Sequence, residues 1–151
     1  MNALVACCEA GARGSQMMDE LGLADLTVLA DYIIDTSYRG TLVAIAQLLR
    51  GTWHNVLQVD GYEAKIDLHA ALTIAGDHVL LDFAGTAGCS AKDINVPLNY
   101  ATAYSVFALR CIIGSGISSN AGSLAPFRVT RPEGCILNGV PRSRCSTHWG
   151  R

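Results

Sequence analysis

Residues 65 to 84 constrain the fold of this chain more than any other segment. From Lys65 to Ala75, apolar side chains strictly alternate with other residues, which is the period of a β-strand with one buried face. Gly76-Asp77 fits a two-residue hairpin turn with glycine first, and a return strand is predicted from His78 to Ala84. The segment therefore predicts an antiparallel hairpin with one buried and one solvated face. The residues expected on the buried face are Ile66, Leu68, Ala70, Leu72, Ile74, Val79, Leu81 and Phe83.

Two helices are predicted before this hairpin. Asn2 to Met18 has small residues along one face, which suits close packing against another helix. After a break at Leu21-Gly22-Leu23, an apolar period with steps of three and four residues runs from Leu26 to Leu48. Asp25 is the candidate N-cap of this second helix, and Gly51 is its candidate C-cap.

The remaining elements complete an α+β pattern. Thr52 to Asp60 reads as a strand, and Phe127 to Thr130 reads as a short strand near the C-terminus. Asn99 is the candidate cap of a third helix, Tyr100 to Ile113, whose predicted apolar stripe consists of Ala103, Tyr104, Phe107 and Cys111. We therefore expect two N-terminal helices, an antiparallel β-meander, a third helix and a short C-terminal strand.

Length and charge limit the class of protein. The chain has 151 residues, 50% of them hydrophobic, which is enough for one folded domain and excludes a disordered chain. The formal net charge of −2 removes any electrostatic reason to expect nucleic acid as a partner. No apolar run approaches the roughly 20 residues of a membrane helix, and no secretory signal is visible, so we expect a cytoplasmic protein without a membrane partner.

The sequence contains no recognisable metal site or nucleophile motif. Six cysteines lack a C-x-x-C spacing, and no serine stands in a G-x-S-x-G motif. His69 and His78 flank the hairpin, where facing imidazoles are one interpretation and a solvated strand face is the favoured one. The glycines Gly85 and Gly88 match neither the Walker pattern nor G-x-G-x-x-G, so a phosphate loop is not predicted.

Four polar residues are the candidate substrate contacts. Asp82 ends the return strand, where its carboxylate can accept backbone N–H groups from the following loop; a catalytic role without a partner base is the less favoured interpretation. Asn95, Asn99 and Asn120 lie in the loops around the third helix. Their amides suit recognition of a substrate amide or imide, whereas the alternative is bracing of the loop backbone. No catalytic residue is identified.

A series of short motifs in a fixed order resembles one known family. Asp82-Phe83-Ala84-Gly85-Thr86 is similar to "DFTGT", with alanine for the middle threonine, and is followed by Ile-Asn-Val-Pro-Leu-Asn. Arg-Pro-Glu-Gly-Cys-Ile-Leu-Asn then ends at Asn138, and Gly11-Ala12-Arg13 is similar to a "GAR" helix end. Together these motifs resemble the hydantoinase B family, the B-type subunits of ATP-dependent N-methylhydantoinases, 5-oxoprolinases and acetone and acetophenone carboxylases.

The resemblance implies a multi-subunit enzyme of which this chain is one piece. Family members are longer, with metal-binding histidines and aspartates in an N-terminal part that has no counterpart here, and a separate A-type subunit handles ATP. Residues 1–141 are thus expected to be an internal part of a B subunit, inactive alone, without a cofactor of its own. Its expected partners are the A-type subunit, the rest of the B subunit and a small hydantoin, oxoproline, lactam or ketone substrate. The alternative is a small non-catalytic binding or interaction domain.

The last ten residues depart from the family pattern. Where the family continues with a segment like PAAVAAR, this chain reads Arg142 to Arg151 without an apolar period. One choice of codons for this stretch, shifted by one base, encodes Ala-Ala-Val-Ala-Ala-Arg-Ile-Gly. We therefore expect 142–151 to be a frameshifted, non-native and disordered tail.

Overall fold

The computed structural model of the chain describes residues 2–62, 64–92 and 94–139. Within these ranges one four-stranded sheet, ordered β1-β2-β3-β4, is accompanied by four α-helices and a 3-10 helix, so the predicted α+β class is confirmed. In chain order the elements are α1 (Asn2–Leu21), α2 (Thr27–Ala46), β1 (Gly51–Val59), β2 (Ile66–Ile74), β3 (Val79–Asp82), α3 (Leu98–Ile113), α4 (Ala121–Leu124), β4 (Phe127–Thr130) and the 3-10 helix (Ile136–Asn138).

The predicted hairpin is confirmed. β2 and β3 are antiparallel, with Ile74 opposite Val79, and the Ala75 N–H donates to the His78 carbonyl at 3.0 Å to close the turn. Gly76 has φ of 93°, a conformation that side-chain-bearing residues rarely adopt, which explains glycine at the first turn position.

The other strands extend this hairpin on both sides. β1 begins and ends one residue earlier than predicted and pairs antiparallel with β2 along all of its length. β4 pairs with β3 in parallel, which is possible because α3 and α4 carry the chain back across the sheet before β4 begins.

The core lies where the helices cover the β3 and β4 side of the sheet. Ile45, Val79 and Phe127 are buried together, and the partly buried side chains packed against them are Leu72, Ile74, Val106, Leu109 and Ile113. The predicted strand phase is therefore confirmed. The predicted depth of burial is not, because seven of the eight side chains expected on the buried face are only half-buried; these are Ile66, Leu68, Ala70, Leu72, Ile74, Leu81 and Phe83.

The ends of α2 differ from the prediction. The helix begins at Thr27, and Leu26 at its cap position makes no side-chain capping bond. Asp25 nevertheless accepts the Thr27 N–H at 2.8 Å, so it satisfies one of the helix's first free donors. The expected C-cap at Gly51 is wrong: α2 ends at Ala46, and Gly51 already pairs in β1. Leu48, the last residue of the predicted apolar period, lies in the bend between α2 and β1.

The start and the apolar stripe of α3 were also predicted incorrectly. The helix begins at Leu98 behind Pro97, so Asn99 lies inside the first turn rather than at the cap. Pro97 suits this place because its fixed φ is compatible with a helix start. The predicted stripe of Ala103, Tyr104, Phe107 and Cys111 is exposed. The opposite face, with Val106, Leu109 and Ile113, packs against the core instead. Because α3 is apolar on both faces, the helical period could not show which face would be buried.

The N-terminal helix is longer than predicted, ending at Leu21 rather than Met18. Its side chains from Leu4 to Arg13 are exposed. No helix in the described ranges is long and apolar enough to cross a membrane. The expected disordered tail, 142–151, lies outside the described residues.

Candidate functional site

Three of the four motifs that carry the family resemblance, at 82–86, 94–99 and 131–138, meet in the fold although they are separated in sequence; the fourth, 11–13, lies in α1. We call residues 83–97 the motif loop and residues 131–139 the C-terminal segment. The Cys89 N–H donates to the Gly134 carbonyl at 2.8 Å, and the Ile136 N–H donates to the Ala87 carbonyl at 2.9 Å. Two further bonds, from the Val96 N–H to Ile136 and from the Gly139 N–H to Val96, extend the contact. These four backbone hydrogen bonds hold the motif loop and the C-terminal segment against each other.

Thr86 anchors the motif loop to β2. Its buried hydroxyl donates to the His69 carbonyl at 3.1 Å and accepts the His69 N–H at 3.0 Å. The neighbouring Ala87 N–H donates to the Asp67 carbonyl at 3.0 Å. At Gly85, φ is +88° and an added Cβ would meet the His69 ring at 3.4 Å, so this glycine permits both the turn and the close approach.

A Thr86→Val variant is expected to lower the free energy of unfolding by about 1–3 kcal/mol, because the His69 N–H and C=O would remain buried without a hydroxyl partner. Urea denaturation measures the change. Thr86→Ser is the matched control, since it keeps the hydroxyl and should stay within about 1 kcal/mol of the parent. Equal losses in the two variants would contradict the role given to the hydroxyl.

Asp82 braces the ends of two strands. Its carboxylate accepts the Ala84 N–H at 3.2 Å and the Thr130 hydroxyl at 2.8 Å. The prediction that this carboxylate accepts a backbone N–H from the following loop is confirmed. These bonds lie where β3 ends and the motif loop begins.

Asn95 braces the middle of the motif loop. Its carbonyl oxygen accepts the Ser90 N–H at 2.8 Å, and its amide nitrogen donates to the Ser90 carbonyl at 2.9 Å. A longer bond of 3.3 Å reaches the Lys92 carbonyl. Because both ends of the Asn95 amide are engaged, the side chain positions the loop backbone beside Gly139.

Asn120 and Asn99 occupy other parts of the fold. Asn120 caps α4 by accepting the Ser123 N–H at 3.1 Å, and it donates to the Ser37 hydroxyl of α2 at 2.7 Å. It therefore joins α4 to α2 rather than contacting the motif loop. Asn99 is exposed in the first turn of α3. The structure thus brings Asp82 and Asn95 to the motif loop and leaves Asn120 at the junction of α2 and α4.

A small cavity lies beside the motif loop and was not predicted. Its volume is about 220 Å³, below the usual 300–1,000 Å³ of drug-sized ligand sites. Lys65, Cys89 and Ser90 are the polar residues of its lining, together with Tyr62. No sequence signal relates Lys65 to Cys89, because only the return of the loop past β2 brings them to one cavity. The lining suits a small polar or anionic molecule.

Arg131 connects the C-terminal segment to α3 and was also missed. Its Nη2 group donates to the Leu98 carbonyl at 2.8 Å and to the Thr102 hydroxyl at 2.6 Å. Its Nε and Nη1 atoms are buried and have no acceptor within the described part of the chain. The guanidinium therefore keeps donors available for a further acceptor near the start of α3.

The histidines at the hairpin lie too far apart to share a metal. His78 lies opposite Ala75, six residues along β2 from His69, which corresponds to roughly 20 Å. His78 Nδ1 instead lies 2.7 Å from the Asp77 carboxylate, and this hydrogen bond holds the pKa of Asp77 below its ordinary value. Nowhere in the described ranges do three His, Cys, Asp or Glu side chains gather. These residues therefore do not fit the divalent metal implied by the resemblance.

The chain is thus an α+β unit in which the motif loop and the C-terminal segment, distant in sequence, are joined by backbone hydrogen bonds. The model of the hydantoinase B/oxoprolinase family matches residues 1–150. The chain belongs to this family.

Two known proteins show how the chain relates to longer molecules. It is 30% identical over 101 residues to the "uncharacterized protein C11D3.15" of Schizosaccharomyces pombe, a match covering 62% of this chain and 8% of that protein. The crystal structure of the ATP-dependent caprolactamase from Pseudomonas jessenii has a similar fold, with a TM-score of 0.76 and 19% identity. That likeness covers 94% of this chain and 25% of the caprolactamase chain. The chain thus spans a quarter or less of both proteins.

Proposed function

We propose that this chain is part of the B subunit of an ATP-dependent enzyme that hydrolyses cyclic amides. The observation that carries the proposal is the joining of the motif loop to the C-terminal segment, because the residues of the family resemblance meet there. Membership of the hydantoinase B/oxoprolinase family supports it. The fold shared with a chain named as an ATP-dependent caprolactamase makes a lactam or related ring amide the favoured substrate class.

Within such a subunit, this part supplies structure around the substrate rather than the reacting groups. One carboxylate oxygen of Asp82 and the amides of Asn95 and Asn120 are engaged with backbone and hydroxyl partners, which supports a positioning role for these residues. Asn99 is exposed and is the candidate that can still contact a substrate amide. We assign ATP to an A-type partner subunit and the divalent metal to the rest of the B subunit.

A non-catalytic binding domain is the second candidate, and the exposed stripe of α3 favours it. Tyr104 and Phe107 are 60% and 63% exposed. The Tyr100 and Tyr104 rings lie 4.3 Å apart between centroids, and a hydrogen bond that the Tyr100 hydroxyl donates to Tyr104 raises the pKa of Tyr100. Clustered exposed aromatic rings are typical of interaction surfaces.

The purified chain is expected to show no ATP-dependent opening of hydantoin, 5-oxoproline or caprolactam, even with an A-type subunit added. The reason is that ring opening needs an activated nucleophile and a stabilised oxyanion, whereas Thr86, Cys89 and Asn95 of the motif loop already hydrogen-bond within the chain. Phosphate release and ring-opened product are measured against a complete B-type subunit as the positive control. Turnover by the chain that Cys89→Ser abolishes would contradict the scaffold role.

Sequencing the DNA on both sides of the coding region separates the two candidates. An in-frame upstream extension rich in histidine and glycine, with a family-like continuation downstream, is expected for a B subunit. A promoter directly upstream, with a true start codon at Met1, would favour the independent binding domain.

A further inference from the structure

The outer edge of β1 is the most exposed part of the sheet. β1 occupies one end of the strand order, and its other edge pairs with β2 at every position from Gly51 to Val59. In the described ranges no strand pairs with the outer edge. A nine-residue strand therefore presents a row of unpaired backbone groups about 30 Å long.

Nothing in β1 protects this edge. The strand contains no proline, lysine, arginine or acidic residue, and its one-to-one register with β2 leaves no bulge. The opposite edge of the sheet is different: β4 has only four residues, carries Arg128, and is flanked by Pro126 and Pro132. Short length, charge and proline are the usual protections of a free edge. The β4 edge of this sheet thus has the features of a solvent-exposed edge, and the β1 edge lacks them.

The exposure of the apolar side chains of β1 also indicates that this strand lacks a neighbour. Trp53 and Leu57 lie opposite Leu72 and Leu68, on the core side of the sheet, yet are 46% and 56% exposed. Val56 lies opposite His69 on the other side and is 55% exposed. The other residues on the Val56 side are the polar Thr52, His54 and Gln58, so the large apolar side chains without cover are mainly the core-side pair, Trp53 and Leu57.

We propose that β1 is an interior strand of a wider sheet, and that its outer edge pairs with a strand from the rest of the B-type subunit. The occupant is an extended segment with apolar side chains that pairs along β1 and covers Trp53 and Leu57. This inference rests on the proposed function for the existence of a longer subunit. It is supported by length, because three quarters of the caprolactamase chain lie outside the part that shares this fold.

A second copy of the chain is the less suitable occupant. Edge-to-edge pairing of two β1 strands joins strips of about 30 by 10 Å, or roughly 300 Å² on each partner. A stable complex usually buries about 800 Å² on each partner. Edge pairing alone therefore falls short of a stable dimer, whereas a segment tethered in the same polypeptide needs no such area.

Amide hydrogen exchange tests the pairing without reference to activity. In this chain alone, alternate amides of 51–59 face β2 and are expected to exchange at least about 100-fold more slowly than their neighbours. In the complete caprolactamase subunit, consecutive amides of the strand aligned with β1 are expected to be slow. An alternating pattern that persists in the complete subunit would overturn the proposal, whatever the outcome of the activity assays.

Sedimentation of the chain at about 100 µM distinguishes the two occupants. Monomer, or weak association without a defined size, is expected. A saturable dimer that Leu57→Lys weakens tenfold or more would overturn the assignment to the longer subunit. Ile112→Lys is the matched control, because Ile112 is 82% exposed on α3 and its change adds the same charge away from the edge.

Discussion

A Gly122→Ala variant is expected to lose about 3 kcal/mol or more of its free energy of unfolding. A Cβ at this position would lie 2.8 Å from the Ile34 carbonyl carbon and closer still to its oxygen. These are backbone atoms of α2, so no side-chain rotation relieves the clash, and overpacking of this kind usually costs 1–3 kcal/mol or more. Chemical denaturation followed by circular dichroism measures the loss.

Gly116→Ala is the control for this prediction. A Cβ there meets no atom within 4 Å, so its effect should stay within about 0.5 kcal/mol. Unfolding of both variants at the same denaturant concentration would show that α4 does not pack on α2 as described.

The close contact at Gly122 keeps α4 against α2, and several polar side chains are buried between these two helices. The Thr41 hydroxyl donates to the Ser37 carbonyl at 2.9 Å, and Asn120 reaches the Ser37 hydroxyl. Thr41 and Ser123 are each only 1% exposed. Moving α4 away from α2 would leave these groups buried without partners, which adds to the cost of the clash.

A Val79→Asp variant is expected not to fold. Val79 is fully buried, and it contacts the core formed with Ile45 and Phe127. An unpaired carboxylate in such a place costs several kcal/mol, which is comparable with the whole stability of a small domain, about 5–15 kcal/mol. Loss of the cooperative thermal transition and of soluble expression would be observed.

The matched control is Val43→Asp, since Val43 is 61% exposed on α2 and the change should cost about 1 kcal/mol or less. Leu72→Asp should fall between the two, because Leu72 is half-buried and part of its carboxylate would stay hydrated. If Val79→Asp unfolded at the same temperature as Val43→Asp, the assigned phase of β3 would be wrong.

The contrast between the hairpin and α3 shows which parts of the fold are predictable. Alternation from Lys65 to Ala75 and glycine at the turn are local signals, and the observed register agrees with them. For α3, the sequence is apolar on both faces, so helical periodicity cannot decide which face meets the sheet. The prediction chose Tyr104 and Phe107, and these are the side chains that remain exposed.

The candidate site likewise contains one contact that the sequence predicts and others that it does not. Asp82 was expected to accept a loop N–H, because an aspartate at a strand end does so through its neighbours in sequence. The bonds of Thr86 with His69, and of Arg131 with Thr102, were not foreseen. Each of them joins elements that are distant in sequence, and no local pattern specifies such a pair.

By itself, the sequence determined the class of the fold, the β2–β3 hairpin and the family, because alternation, turn residues and motif order are properties of neighbouring residues. Only the tertiary structure decided that β4 lies parallel to β3, and that the motif loop shares backbone hydrogen bonds with the C-terminal segment. It also decided that β1 has an unprotected edge. The physical reason is that these features depend on where α3 and α4 return the chain, and backbone donors and acceptors are alike in every residue except proline.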